Sequence, residues 1–205
     1  MNAQSLAGTF VSISRLIEEN RENLIELDQK NGDGDLGISM AVGFKAVSDY
    51  LVSAEEKDLG KLFMKSSSVF NEVAPSSLGT ILSIGLMGMA RVLKGKECAG
   101  IEEISTAMEA GVNAIMEKAK SKPGEKTILD ALCPAVEVLK NTNGLDEKTV
   151  WAKTAEAAAE GSENTKTMKS VHGRAAYYGE KSIGILDGGS VVGKLIFEGI
   201  CACCN

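Results

Sequence analysis

The chain has 205 residues, with 22 Lys or Arg against 28 Asp or Glu, so its formal net charge is −6. Proteins bind nucleic-acid phosphates mainly through clustered Lys and Arg, and this acidic balance argues against a nucleic-acid partner. The apolar fraction of 44% is that of a globular protein rather than a disordered one. Aromatic residues make up only 4%, which favours helices over β-sandwiches and barrels.

Two features of the sequence bear on its location. No stretch approaches the roughly 20 apolar residues of a membrane span, and residues 1–8 lack the basic region and apolar core of a secretory signal. The five cysteines form no even framework and are expected to be reduced thiols. We therefore expect a cytoplasmic protein that has no membrane partner.

Apolar side chains recur at helical spacing along most of the chain. Eight segments share this spacing, with approximate bounds 6–27, 37–51, 58–71, 79–93, 100–119, 126–140, 146–162 and 190–203. Turns are expected at 122–125 and 141–144, and a basic, glycine-containing segment over 166–189 precedes the last helix. Helices joined by mostly short loops, without strand alternation, predict one all-α domain over residues 1–205.

An acidic, glycine-rich run follows the first predicted helix. Asp28, Asp33 and Asp35 fall within eight residues, and the intervening glycines let the backbone curl so that the carboxylates turn inward. Adjacent carboxylates repel unless a cation compensates them, and hard divalent ions prefer oxygen ligands. The run therefore predicts either a magnesium site or a solvated acidic turn. A calcium EF-hand is excluded, because Leu36 and Val42 stand where that loop needs Gly and Glu.

Two further segments have the composition of phosphate-binding loops. Ser76 and Ser77 precede a predicted helix, where hydroxyls, backbone N–H groups and the helix dipole could face an anion, although a simple N-cap has the same pattern. Arg174 lies among glycines and tyrosines in 173–180 and could pair with a phosphate or with a surface acid. The sequence has no Walker-type or kinase glycine-rich loop, and no nucleophile motif surrounds its single histidine, His172.

Four segments, in order, resemble the L (nucleotide-binding) subunit or domain of dihydroxyacetone kinase. Residues 28–40 are similar to the family's metal loop, and 76–77 stand where the family has its phosphate loop. Residues 123–132, Pro-Gly-Glu-Lys-Thr-Ile-Leu-Asp-Ala-Leu, are close to the family's Pro-Gly-Asp-Lys-Thr-Met-Leu-Asp-Ala-Leu. Residues 168–189 match its C-terminal signature. The matches span almost the whole chain, and the last two are specific.

The resemblance implies a barrel of eight antiparallel amphipathic helices that holds ADP or ATP at one end through magnesium. Asp28, Asp33 and Asp35 would be the metal ligands, with two ions bridging the nucleotide phosphates. No residue outside this metal and nucleotide site is expected to be catalytic. The positions that match the family's nucleotide contacts are Leu36, Gly37, Ile38, Ser39, Ser76, Ser77, Ala119, Ile128, Arg174, Asp187 and Gly188.

The implied activity is phosphoryl transfer from Mg-ADP/ATP to dihydroxyacetone, or to a related short ketose, held on a separate K subunit. A free-standing L subunit of this family usually has its ADP recharged by a phosphohistidine M subunit of the phosphotransferase system. The alternatives are an ATP-dependent kinase component for another small ketose, such as a tetrulose, and a nucleotide-dependent regulator of a transcription factor. A plain helical interaction module, with a solvated acidic turn, is a further alternative.

The sequence departs from the family pattern at three places. Leu36 replaces the usual His after the third Asp, and Ala-Pro-Ser-Ser-Leu at 74–78 replaces a Gly-Gly-x-Ser-Gly loop. Ile-Leu-Asp-Gly-Gly at 185–189 replaces His-x-Asp-Pro-Gly. Fewer glycines beside a phosphate could change the shape of the loop, so the sequence leaves open the loop contacts, the ketose and the phosphoryl donor.

Overall fold

The computed structural model describes residues 1–141 and 144–204, and the predicted turn at 141–144 lies partly outside these ranges. Two 3₁₀ segments, Thr165–Thr167 and Arg174–Ser182, precede the last helix. Within the described ranges there is no β-strand, as the all-α prediction requires. The α-helices are α1 Ala3–Glu19, α2 Arg21–Gln29, α3 Leu36–Ser53, α4 Leu59–Val73, α5 Ser77–Leu93, α6 Ile101–Ala119, α7 Leu129–Lys140, α8 Glu147–Asn164 and α9 Gly188–Cys203.

The prediction of one uninterrupted helix over residues 6–27 is wrong. The chain leaves helical geometry at Asn20, where φ is −101° and ψ is 7°, and α2 begins at the next residue. The Asn20 side-chain amide donates to the Leu16 carbonyl at 2.8 Å. Asparagine interrupts helices because its side chain competes with the backbone for hydrogen bonds in this way.

The helices close into a ring. α1 packs on α3, each helix from α3 to α8 packs on the next one, and α9 returns to α1, while α2 packs mainly on α3. The ring therefore contains eight helices, which confirms the predicted architecture. Because short loops reverse the chain between successive helices, the N-termini of α3, α5, α7 and α9 lie at the same end of the ring.

One apolar core fills the ring, and each of the helices α1 to α9 in the described ranges contributes side chains to it. Phe44 packs edge-on against Phe70, with ring centroids 5.0 Å apart, and both side chains are buried. The core encloses an apolar cavity of about 120 Å³. Among the described helices, none is long and apolar enough to cross a bilayer.

Close packing between α5 and α6 requires a glycine in α5. A Cβ added at Gly88 would lie 2.8 Å from both the Ala110 carbonyl oxygen and the Gly111 Cα. These neighbours are backbone atoms, so they cannot move aside as a flexible side chain would. Gly88 therefore sets the distance between the two helices.

We predict that Gly88→Ala lowers the free energy of unfolding by about 1–3 kcal/mol, because the added methyl group forces α5 and α6 apart. Gly8→Ala is the matched control, because a Cβ at Gly8 in α1 would make only an ordinary 3.5 Å contact with Cys203. That change should stabilise the protein by about 0.5–1 kcal/mol through helix propensity alone. Urea unfolding measures both, and equal effects of the two substitutions would refute the packing argument.

Candidate functional site

Three carboxylates meet where α2 leads into α3. Asp28 lies in the last turn of α2, Asp33 lies in the connecting loop, and Asp35 immediately precedes α3. One carboxylate oxygen from each lies within 4.8 Å of the others, and Asp33 and Asp35 are exposed. The structure thus brings together the three residues that the sequence predicted as metal ligands.

The Asp28 carboxylate organises this loop. Its Oδ2 accepts N–H bonds from Gly34 at 2.8 Å and from Leu36 at 3.4 Å. Gly34 adopts a left-handed φ of +79°, and a Cβ at Gly32 would lie 2.0 Å from Asp28 Oδ1. The two glycines are needed for the tight curl that holds the carboxylates together.

The cluster carries uncompensated negative charge. The Arg174 guanidinium lies 2.5 Å from the Asp33 carboxylate and neutralises one of the three charges. Burial, followed by the nearby Asp33 and Asp28 carboxylates, raises the pKa of Asp35 above its usual value, and Arg174 opposes this shift. A set of hard oxygen donors with this excess of charge suits a divalent cation such as Mg²⁺.

The first turn of α3 lies beside the carboxylates. It contains the predicted nucleotide contacts Leu36, Gly37, Ile38 and Ser39. The Leu36 N–H donates to Asp28 and the Ser39 N–H donates to the Asp35 carbonyl, so the N–H groups of Gly37 and Ile38 are those that this helix start can present to an anion. Gly37 is buried against α2, because a Cβ there would lie 2.2 Å from the Arg21 carbonyl oxygen. Ile38 is exposed. This turn therefore offers backbone donors and a positive dipole end to an anion.

The residues that lead into α9 pack against the acidic loop. Asp187 caps α9 by accepting an N–H bond from Ser190 at 2.6 Å, and Gly188 abuts Leu36. Burial raises the pKa of Asp187 to about 6, although the Ser190 bond and the Lys126 charge act in the opposite direction. Ile128, just before α7, is buried against the first turns of α9. Three further predicted positions, Asp187, Gly188 and Ile128, thus lie next to one another beside the carboxylates.

Ser76 acts as the N-cap of α5, which was the simpler of its two interpretations. Its hydroxyl accepts the Gly79 N–H at 3.1 Å. Ser77 is exposed in the first turn of the same helix. Among the described residues, no hydrogen bond or ion pair joins Ser76, Ser77 or Ala119 to the carboxylates, so their contacts with phosphate or nucleotide stay predictions.

Two buried polar residues that support the site, Lys126 and Asp130, were not predicted from the sequence. Lys126 and Asp130 are both buried, and Asp130 accepts N–H bonds from Gly124 at 2.5 Å and Thr127 at 2.7 Å. Lys126 has a φ of +61°, which is why α7 begins at Leu129 rather than at the predicted residue 126. Both residues stand in the run 123–132, which the sequence analysis used only for its family resemblance.

The chain is similar to known proteins over most of its length. The family model of the DAK2 domain matches residues 30–202. The chain is 32% identical to the ADP-binding subunit DhaL of PEP-dependent dihydroxyacetone kinase 1 from Listeria innocua, over 89% of this chain and 87% of that one. Identity to the corresponding Escherichia coli K12 subunit is 28%, over 82% and 81% of the two chains.

A solved structure has the same fold. The dihydroxyacetone kinase of C. freundii, in complex with AMP-PNP and Mg²⁺, superposes with a TM-score of 0.77 at 22% identity. The match covers 98% of this chain and 34% of that kinase, so this chain corresponds to one part of the larger protein.

We predict that Asp35→Asn raises the melting temperature by about 1–3 °C in metal-free buffer, because it relieves repulsion within the cluster. Asp49→Asn is the control, since it makes the same charge change at an exposed residue that pairs with Lys45. That substitution removes an attraction and should leave the melting temperature unchanged or slightly lower. A lower melting temperature for Asp35→Asn would contradict the repulsion.

A second prediction concerns Asp187 and pH. Because its pKa is raised on folding, the folded state holds this proton more tightly, and Asp187 costs stability as the pH rises from about 4 to about 6. Asn can also cap a helix, so Asp187→Asn should keep the cap and remove this cost. Relative to the wild type, the free energy of unfolding of the variant should be higher above pH 6 than at pH 4, by on the order of 1 kcal/mol.

Asp146 provides a control of opposite sign for the Asp187 measurement. It caps α8, and its hydrogen bonds with Thr149 lower its pKa, so its contribution to stability is lost as the pH falls. Asp146→Asn should therefore cost stability at neutral pH and little in acid. Urea unfolding of both variants at pH 4 and pH 7 tests these signs, and parallel pH profiles would contradict them.

Proposed function

The chain belongs to the DAK2 domain family, and we propose that it is the ADP-binding subunit of a phosphoenolpyruvate-dependent dihydroxyacetone kinase, a phosphotransferase. The observation that carries this proposal is the carboxylate cluster at the end of the ring where the N-termini of α3, α5, α7 and α9 lie. Carboxylates recruit divalent cations, and helix N-termini bind phosphate. Few ligands besides a magnesium-bound nucleotide polyphosphate need both. The complex of the C. freundii kinase with AMP-PNP and Mg²⁺ supports the same ligand.

We propose that Asp28, Asp33 and Asp35 hold Mg²⁺, with two ions between the protein and the nucleotide phosphates. Bound Mg²⁺ would neutralise phosphate charge and draw electron density from the transferred group. The N–H groups at the starts of α3 and α5 orient the phosphates, and Arg174 adds a guanidinium at the rim of the cluster. Ile128, Asp187 and Gly188 form the wall beside the nucleotide. Positioning and charge neutralisation are sufficient for phosphoryl transfer, so the chain needs no nucleophile.

The proposed partners supply what this chain does not carry. The single histidine of the sequence, His172, is hydrogen-bonded to Glu125 at 2.6 Å. We therefore propose that an M subunit provides the phosphohistidine and that a K subunit binds the ketose. Ile38, in the first turn of α3, and Tyr177, in the 3₁₀ segment Arg174–Ser182, are exposed. The Asp33–Arg174 ion pair brings these two parts of the chain together, so both side chains offer apolar surface beside the site. We further propose that residues 1–205 form one domain, in keeping with their common core. The cytoplasmic location stays a prediction.

Reconstitution with cognate K and M subunits tests this function. We expect the mixture to phosphorylate dihydroxyacetone at the expense of phosphoenolpyruvate, and Asp33→Ala to lower turnover by about a hundredfold or more, because the metal loses a direct ligand. Asp49→Ala is the control, since it removes another exposed Asp that lies outside the cluster. Magnesium-independent ADP binding would contradict the assignment of the cluster.

The same reconstituted system separates the alternatives. Turnover with ATP in place of the M subunit and phosphoenolpyruvate would favour the ATP-dependent kinase component. A preference for a tetrulose over dihydroxyacetone would change the substrate. Nucleotide binding without any turnover would favour the regulator of a transcription factor.

A further inference from the structure

A buried lysine lies beneath the segment that leads to α9. The Lys126 side chain is 3% exposed. Its ammonium lies within hydrogen-bond distance of four backbone carbonyl oxygens, which share its three N–H donors: those of Thr165 at 2.8 Å, Met168 at 3.2 Å, Ser182 at 2.7 Å and Ile185 at 2.5 Å. All four acceptors belong to one segment, 165–187, so a single cation ties that segment together from below.

The segment folds back on itself around this ammonium. The Gly184 N–H donates to the Lys166 carbonyl at 2.7 Å, and the Ser170 N–H donates to the Ser182 hydroxyl at 2.9 Å. At its end, the Asp187 N–H donates to the Thr165 hydroxyl at 3.1 Å. These bonds close the segment into a loop whose carbonyl groups converge on Lys126.

This loop has little apolar burial of its own to hold it in place. None of its apolar side chains is fully buried: Leu186 packs half-buried against the core, and four large ones are exposed. Those exposed residues are Val171, Tyr177, Tyr178 and Ile183. Segments with few buried apolar contacts open most readily, so the position of this loop depends on its polar ties.

Burying a lysine at this position is costly. Burial of the ammonium lowers the pKa of Lys126, so the environment penalises the charge, and its hydrogen bonds to the loop carbonyl groups offset that penalty. The backbone of Lys126 is also left-handed, a conformation that persists only where the surroundings enforce it. This costly arrangement lies beside the proposed nucleotide site. The loop that it holds contains Arg174 and Asp187, which both belong to that site.

We propose that Lys126 is a positioning residue, whose ammonium fixes the loop 165–187 so that Arg174 and Asp187 face the carboxylate cluster. This inference rests on the proposed function, because its consequence is measured on Mg-ADP. Without the ammonium, the four carbonyl groups lose their common donor and the loop samples open positions. Arg174 then reaches Asp33 and the phosphates for only part of the time, and affinity falls in proportion.

The test compares Lys126→Met with Lys120→Met. Both lysines have a left-handed backbone conformation, but the Lys120 side chain is exposed. The two positions therefore differ in the carbonyl groups around the ammonium and not in backbone geometry. We expect Lys126→Met to weaken Mg-ADP binding about tenfold or more and to speed amide hydrogen exchange across 165–187. We expect Lys120→Met to bind within about twofold of the wild type.

A variant Lys126→Met that binds Mg-ADP like the wild type, or whose loop exchanges no faster, would overturn the proposal. If Lys126 only stabilised the fold as a whole, Lys126→Met would instead speed amide hydrogen exchange throughout the ring. Wild-type protein that fails to bind Mg-ADP would refute the proposed function, while the exchange measurement would still decide the role of Lys126.

If Lys126→Met does not fold, Lys126→Gly replaces it, because glycine accepts the left-handed backbone. The cation n-butylammonium has the four carbons and the ammonium of the missing side chain. Its addition should restore loop protection and Mg-ADP affinity, whereas neutral 1-butanol should not. A melting temperature and an affinity that do not respond to n-butylammonium would count against the proposal.

Discussion

Closure of the helices into a ring is the constraint on which the rest of the molecule depends. Once α9 packs on α1, the chain reversals between successive helices decide which ends meet. The starts of α3, α5, α7 and α9 share one end, and most of the predicted nucleotide contacts lie in these starts or in the loops that precede them. The fold thus assembles one site from segments that are far apart in sequence.

The charges at that end of the ring explain how an acidic protein could bind a polyphosphate. A net charge of −6 argues against a nucleic-acid partner, and three of its carboxylates are gathered where a polyphosphate would bind. Positive helix ends and Arg174 surround them, and a divalent cation held by the carboxylates would invert the local sign. An acidic protein can therefore bind a highly charged anion, provided that the acids bind the metal and the metal binds the anion. The cost is repulsion among the carboxylates when no cation is bound, and this repulsion adds to burial in raising the pKa of Asp35.

Local patterns in the sequence predicted what local physics determines. Helical periodicity located the helices, and the spacing of Asp28, Asp33 and Asp35 with their glycines predicted the cluster. The break at Asn20 was missed because an apolar stripe continues across it and only the side-chain bond to Leu16 interrupts the helix. Lys126 was missed for another reason, since its acceptors lie 39 to 59 residues further along the chain. No pattern in the run 123–132 indicates them, because they are backbone groups that any sequence carries.

Two of the departures from the family pattern lie in contact. Leu36 stands where the resemblance leads us to expect His, and Gly188 stands where it leads us to expect Pro. A Cβ at position 188 would lie 2.5 Å from the Leu36 Cδ2, so a larger residue there would require the leucine side chain to rotate away. With glycine at 188, the Leu36 side chain rests on the start of α9 and joins it to the acidic loop. This contact coexists with the carboxylate cluster of Asp28, Asp33 and Asp35 and with the cap that Asp187 provides, so both departures are compatible with the predicted site.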